Sequence, residues 1–596
     1  MKFAKHRSIP GIAPLIALAL ATTLAAQTQT LTVLHTFTGI PDGARPIGRL
    51  LLDPAGNLYG VTTIGGTIGY GSVFKVDPSG NESVFYSFAG LPDGSEPATG
   101  LIRDAAGNLY GTTLLGGTAA YCASPQKNLA GCGTVFKLDP DGKETVLHRF
   151  GHANLVDDGS DGTVPLGPLA IDGSGNLWGT TEWGGHGMCS IPDPPNRPFP
   201  VGCGSVYKVD ASANETLVYS FNQAVGAWPL GGVVQDQAGN LYGTTRTGGL
   251  MNCPSGWFGE CGTVFKVDTT GQVNTLYSFQ GRDGGPDGDI PESSLILDPA
   301  GNLYGTTNAG GTVVCAPQVL PGISCGTIFQ LTPAGKETVL HSFGGPGDAG
   351  FPITGLVRDA AGNFYGLVSG LVIKLDSMGK ESVLYTFTGF DIIASGDLVQ
   401  DAAGNLYGTT LFGANGKGTV FKLTTPPDFA VGAFTLAPAT APAGSSASAT
   451  LNLIAVSGFN DTVTFAGSVS PLPAQAPQCS VNATPGTPAT IRVSTSGPSA
   501  HLTFNAGVAL SYALWLPLLG LVGIGKRLRS THRKIKAMLL SCMLFGAMFQ
   551  MACGGGSTHG GNSGTPPGAY TITVTGTSSA ATGTLVRSTP EVLTVQ

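Results

Sequence analysis

Charge is scarce in this chain of 596 residues: Asp, Glu, Lys and Arg together make up 11%, and the net charge is −7. No basic face or tail accompanies that balance, which argues against nucleic acid as a partner. No long amphipathic period of helical spacing occurs outside the ends, so the core is not expected to be helical. Nor is there a nucleophile elbow, a phosphate loop or a dinucleotide fingerprint, and the chemistries those motifs announce lose their support. What the chain has instead is 91 glycines, with abundant Val, Thr, Tyr and Phe. That composition points to an all-β protein rich in turns.

The N-terminus carries Lys2, Lys5 and Arg7, an apolar run over 12–24, and then Ala25-Ala26-Gln27. Residues 1–26 are read as a secretory signal peptide, a retained anchor being the weaker reading because the run is short. The remainder is expected to be exported, with the repeats on the periplasmic or surface side of the cell envelope.

One stretch, Asp104-Ala-Ala-Gly-Asn-Leu-Tyr-Gly-Thr-Thr113, is written seven times, beginning also at Asp53, Asp172, Asp236, Asp298, Asp359 and Asp401. Each copy reads as a turn and a strand, a unit too small to bury its apolar face alone. Around it lie three more strand patterns. In one unit they are Gly100–Asp104, Gly133–Asp139 and Glu144–Phe150, and the fourth strand ends in Phe in every unit: Phe37, Phe88, Phe150, Phe221, Phe279, Phe343 and Phe387. Four short strands per repeat are the pattern of a propeller blade. The array opens with a lone fourth-type strand, Leu31–Phe37, and ends on a third-type strand, Gly418–Leu423, so the two ends are complementary. This predicts a seven-bladed β-propeller over 27–424, closed by its N-terminal strand; an open β-solenoid is the alternative. Across each outer hairpin Lys75 is expected near Glu82, Lys137 near Glu144, Lys208 near Glu215 and Lys374 near Glu381.

The pattern Gly-Asn-Leu-Tyr-Gly-Thr-Thr, Gly-Gly, Gly-Thr-Val-Phe-Lys-Leu-Asp resembles the GloVer tandem repeat of bacterial "choice-of-anchor" envelope proteins and, more distantly, NHL-type propeller repeats. The resemblance covers about two thirds of the chain. It implies a secreted, anchored repeat protein and supplies no catalytic residue.

Cysteines concentrate in the loop between second and third strands, two or none per unit: Cys122/Cys132, Cys189/Cys203, Cys253/Cys261 and Cys315/Cys325. In an exported chain these read as four local disulfides. Their spacing and the lack of a recurring His argue against a structural metal. His35, His148 and His341 share one repeat position with Tyr86, Tyr219, Tyr277 and Tyr385, and are expected to pack rather than to meet at one metal. The seven motif aspartates read as turn caps. Asp42, Asp93 and Asp287, in Pro-Asp-Gly segments, also read as turn residues, with cation or glycan binding as the alternative. On the candidate innermost strands only Asp397 is acidic before the motif Asp, so no catalytic, metal or cofactor site is predicted.

Residues 425–428 form a short linker. Residues 429–505 resemble the Ig-like β-sandwich modules of bacterial surface proteins, with Cys479 lacking an obvious partner. A transmembrane helical hairpin is predicted over 506–552, its basic loop 526–536 cytoplasmic, followed by a Gly/Ser-rich spacer over 553–569. A sorting signal, or lipoprotein processing before Cys553, are the other readings of that segment. Strands within 570–596 are expected to complete the interrupted Ig-like module. The reading as a whole is a non-enzymatic, envelope-anchored propeller that binds or scaffolds a glycan, a protein or a small molecule. A metal-dependent, lactonase-like propeller hydrolase or lyase is the alternative, and a purely structural surface protein the third.

Overall fold

The computed structural model describes residues 29–117, 131–151, 161–187, 189, 202–249, 261–281, 286–313, 324–345, 350–377, 379–388, 394–413, 415–425, 428–432, 434–456, 463–470, 477–482, 489–495, 565, 568–580 and 583–595. Within them every regular element is a β-strand. Two compact units emerge among the described residues, one within Gln29–Gly432 and Asn452–Asn460, the other within Ala433–Leu451 and Asp461–Gln596.

In the first unit each repeat is an antiparallel sheet of four strands, with one further short strand on the second repeat. The motif aspartate makes the first hairpin. At Asp104, Oδ1 accepts from the Asn108 backbone N–H at 2.8 Å and Oδ2 from Asn108 Nδ2 at 2.6 Å and Tyr110 Oη at 3.0 Å. The same carboxylate, amide and aromatic donor recur at Asp172, Asn176 and Trp178 and at Asp401, Asn405 and Tyr407. One Asp therefore explains the recurring Asn and the Tyr or Trp two residues beyond it as well. The Gly after Tyr has a different cause. Gly60 lies opposite Phe74 in the ladder, and a Cβ there would stand 2.4 Å from the Phe74 ring. The missing side chain is the seat of the aromatic.

Packing between sheets follows from the terminal Phe residues, which are all buried. Six of the seven meet the aromatic of the next sheet edge to face, as Phe88 does Phe136 at 5.1 Å, Phe150 Tyr207 at 5.0 Å and Phe221 Phe265 at 4.9 Å; Phe343 shares its cluster with Ile373 instead. Such pairs contribute about 0.5–1.5 kcal/mol beyond their area. The strand Leu31–Thr36 pairs with Thr419–Leu423, so the sheet of the last repeat contains the first strand of the array. Its Phe37 packs on Phe74 of the first repeat at 4.9 Å, within a cluster that joins Leu50, Leu58 and Val76 to Val399 and Val420. These four-stranded sheets, packed edge Phe to inner Phe, are consistent with a β-propeller.

The residues expected to form a linker are tied down. Thr425 Oγ1 donates to the Gly404 carbonyl at 2.7 Å, and Asp428 accepts from Lys374 Nζ at 2.6 Å. Asp428–Val431 pairs with Leu453–Val456, so the unit holding the repeats extends past residue 424.

In the second unit Val463–Ser470 pairs with Gly568–Ala580, which pairs in turn with Gly583–Val595. A three-stranded sheet of Ser446–Leu451, Ala489–Ser494 and Gln478–Asn482 accompanies it. Cys479 is buried. The predicted membrane hairpin 506–552 and signal peptide 1–26 lie outside the described residues, among which no helix is long and apolar enough to cross a membrane.

Candidate functional site

The first strands of all the repeats, with the residues just before them, converge on one cavity of about 500 Å³. Its rim is set by the residue after a recurring proline: Ala98, Leu166, Leu230 and Ile353 are apolar, and Glu292 is the acidic exception. Ile353 is 57% exposed, unusual for an isoleucine unless something apolar is to be met there. Deeper in, the strands touch backbone to backbone through glycines: a Cβ on Gly48 would lie 2.6 Å from the Gly100 nitrogen, and one on Gly396 would lie 2.1 Å from the Gly48 carbonyl oxygen.

The carboxylates of this cavity are already engaged. Asp397 accepts from the Gly355 N–H at 2.5 Å. Burial pushes its carboxyl up, while Arg49 and that N–H pull the other way. Glu292 sits 3.0 Å from Arg246 Nε. Among the described lining residues there is no histidine, and no second carboxylate beside either acid. An apolar rim over engaged charges can hold a ligand by contact area and a few polar bonds; it offers no free acid–base pair.

Upstream of each rim proline the backbone is strained. Arg45, Glu96, Val164, Trp228, Ile290 and Phe351 all have φ between 51° and 60°, a region that β-branched residues such as Val164 and Ile290 rarely occupy. Five of them donate their N–H across the seam, and the Ile290 carbonyl accepts from the Asn308 N–H of its own repeat at 2.9 Å. The Glu96 N–H donates to the Tyr70 carbonyl at 3.0 Å, and the Trp228 N–H to the Cys203 carbonyl at 2.9 Å. Strain of this kind persists only where the surroundings over-determine it. Here it fixes the rim.

A second cluster lies at the seams. His35 Nε2 is 3.2 Å from Asp42 Oδ2, and both stand near Glu82 of the next sheet. Where the repeat has Tyr the arrangement returns: Tyr86 Oη donates to Asp93 at 2.9 Å beside Glu144, and Tyr277 Oη to Asp287 at 2.6 Å beside Glu337. Burial, reinforced by the facing aspartate, raises Glu82, Glu144 and Glu337 to about 7. His148 stands 3.4 Å from Asp161 and His341 4.0 Å from Glu381. The histidines thus stay apart from one another, each with its own carboxylate. The Pro-Asp-Gly aspartates do more than make turns, since they face these rings.

The expected Lys–Glu pairs across the outer hairpins are not formed. The ladder sets Lys75 opposite Ser83 and Val76 opposite Glu82, and the other hairpins repeat this, with Lys137 opposite Thr145, Lys208 opposite Thr216 and Lys374 opposite Ser382. A shift of one residue reverses the face. The lysines lie over aromatic rings, Lys75 over Tyr59 at 5.6 Å and Lys208 over Trp178 at 5.4 Å, while the glutamates turn into the seams.

Cys189 and Cys203 form a disulfide, S–S 2.06 Å. Cys132, Cys261 and Cys325 are also disulfide-bonded; Cys122, Cys253 and Cys315, assigned to them in the sequence, lie outside the described residues.

Strand order, seam packing and the shared cavity define an all-β repeat protein with propeller-type sheets. The chain belongs to the Gloeobacter/Verrucomicrobia repeat family, whose model matches residues 20–192 and 120–371. No curated protein sequence matches it. Among solved structures it is similar to a gluconolactonase from Xanthomonas campestris, at 15% identity and a TM-score of 0.32, over 68% of this chain and 93% of that one. It is also similar to a family PL25 ulvan lyase, at 11% identity and a TM-score of 0.30, over 70% of this chain and 94% of that one.

Proposed function

We propose that the repeats close into a seven-bladed propeller and that the chain is a non-enzymatic binding or scaffolding module of the cell envelope. In this reading the N-terminal signal exports it, the apolar segments within 506–552 anchor it, and an Ig-like module is interrupted by that anchor. The pairing of Leu31–Thr36 with Thr419–Leu423 supports closure. The single observation that carries the functional reading is the rim of Leu166, Leu230 and Ile353 above acids already engaged by Gly355 and Arg246. Such a surface suits a glycan's apolar face, a protein side chain or a small molecule, held without bond-making.

The test uses the purified full-length chain in detergent, screened against a glycan panel and envelope extracts. Ile353→Asp, at an exposed position, and Leu230→Asp should abolish capture of whatever ligand the wild type retains, while melting unchanged by more than a few degrees. Capture indifferent to both variants, no capture at all, or turnover of lactones or uronate polysaccharides by the wild type would overturn the proposal.

A further inference from the structure

The geometry points to a divalent-cation site at the seam closed by the N-terminal strand, with His35, Asp42 and Glu82 as its protein ligands. The three side chains come from three segments: the closing strand Leu31–Thr36, the loop after it, and the outer strand Glu82–Ser87 of the first repeat's sheet. One ligand atom from each lies within 4.8 Å of the other two. Asp42 is held in place by the Thr38 N–H, 3.1 Å from both carboxylate oxygens, and by Thr38 Oγ1, 3.0 Å from Oδ1, while Oδ2 also faces the imidazole. Two ligands about 2.0–2.2 Å from a tetrahedral ion stand about 3.4 Å apart. The observed separation of His35 Nε2 and Asp42 Oδ2 is 3.2 Å.

An independent observation points the same way. Glu82 Oε1 is shut off from solvent and has no hydrogen-bond partner, a condition it shares with Glu144 and Glu337 at seams that carry Tyr, so the His35 seam differs from those in its imidazole and not in this oxygen. A buried oxygen without a partner is costly, and a cation would supply what it lacks. The repeats contain their own control. With Tyr at the His35 position the phenol donates its proton to the aspartate, as Tyr86 does to Asp93 and Tyr277 to Asp287. That proton occupies the place of an ion. Histidine in its Nδ1–H tautomer offers a lone pair there instead, so His35 converts a two-carboxylate seam into an N,O,O set with charge −2. Imidazole with carboxylates suits Zn²⁺ or Mn²⁺, solvent completing the shell. Bound there, the ion would clasp the closing strand to the first repeat.

The experiment takes the purified full-length chain, strips it with EDTA, equilibrates it with Zn²⁺ or Mn²⁺ at pH 7.5 and dialyses it. Bound metal is counted by mass spectrometry, and melting is followed with and without the ion. His35→Tyr installs the residue that other repeats carry at this position, and Glu82→Gln removes a ligand charge at almost constant shape. The wild type should retain an ion and melt higher with it. Each variant should hold one ion fewer per chain and lose the part of the rise due to this seam, while metal-free melting changes little. Equal metal content in wild type and both variants, or none retained by the wild type, would overturn the assignment. Should His35→Tyr fail to fold, Glu82→Gln alone decides.

Discussion

The backbone N–H of Val164 donates to the carbonyl of Cys132 at 3.0 Å, tying the strained residue before one rim proline to a disulfide-bonded cysteine of the preceding repeat. The Val164 carbonyl accepts from the Glu182 N–H at 2.9 Å, so both peptide groups are committed. A valine at φ 59° is conformationally costly, by about 1–2 kcal/mol. Val164→Gly should remove that strain and stabilise the chain by up to about 1 kcal/mol, part of the gain being offset by the entropy of glycine. Urea unfolding checks this, and a midpoint lower than wild type would show that valine packing outweighs the strain.

Cys132, Cys203 and Cys325 thus have two tasks, a covalent one and a carbonyl that holds the next repeat, as Cys203 holds Trp228 at 2.9 Å. Closing the loop between Cys189 and Cys203, separated by 14 residues, stabilises by about 3 kcal/mol in the chain-entropy model. The double variant Cys189→Ser/Cys203→Ser should lower the unfolding free energy by about that amount. Adding reductant to the wild type should lower its stability at least as far. A variant as stable as the oxidised wild type would contradict the role.

The seam glutamates give stability a pH dependence with a defined sign. Burial first, and the charge of Asp93 or Asp287 second, raise Glu144 and Glu337 from an ordinary 4.5 to about 7; Arg149 opposes this at Glu144. Between those two values the folded chain holds protons that the unfolded chain has released, so stability falls as pH rises through the window. The motif aspartates act at the other end. Burial disfavours their charge, but bonds from the Asn side chain and backbone and from Tyr outweigh it at Asp104 and Asp236 and hold them below the usual range. Their contribution is present above that range and lost in stronger acid. Urea midpoints should therefore decline from pH 5 to pH 8, and Glu144→Gln/Glu337→Gln should flatten the decline. A midpoint that climbs across this range would contradict the burial of these acids.

The four-stranded repeats, the first hairpin and the Phe anchors were legible because each follows from a short local pattern: Asp and Gly in a turn, an aromatic at a strand end. The seam was not legible. Placing Glu82 beside Asp42 depends on the hairpin setting Val76, not Lys75, opposite Glu82, and on the ladder shifting register between Val33 and His35. Both are one-residue matters that alternation cannot resolve. The strained residues were hidden for the opposite reason: a position before proline favours extended backbone, so Val164 and Ile290 gave no sign of a left-handed conformation. The rim's signal was present, since one residue follows each proline, but it becomes meaningful only once the first strands converge.

Within one repeat, the Tyr of the motif should have a measurable share in the turn. Tyr110 Oη reaches Asp104 Oδ2 at 3.0 Å beneath the Lys137 side chain, whose Nζ lies 5.9 Å from the ring centre. Tyr110→Phe keeps the ring and removes the hydroxyl, and should cost about 0.5–1.5 kcal/mol, or somewhat more because the acceptor is ionised. In a Lys137→Met background the loss should persist if the hydroxyl bond dominates. Full suppression of the loss in that background would assign the energy to the cation over the ring instead.

Closure is tested most directly at Gly396. It has φ 85°, and a Cβ placed on it would sit 2.1 Å from the Gly48 carbonyl oxygen, between the last repeat and the first. The obstruction is backbone, so no side-chain rotation relieves it, and the left-handed φ adds its own penalty for any residue but glycine. Gly396→Ala should therefore destabilise by about 2–4 kcal/mol, in the range of overpacked core substitutions. Gly173→Ala is the matched control, since nothing lies within 4 Å of a Cβ there. If the first and last repeats meet in solution, the Gly396 variant melts well below the control and its N-terminal strand is cut earlier by protease. Equal melting of the two variants would mean that the first and last repeats do not press together at this glycine.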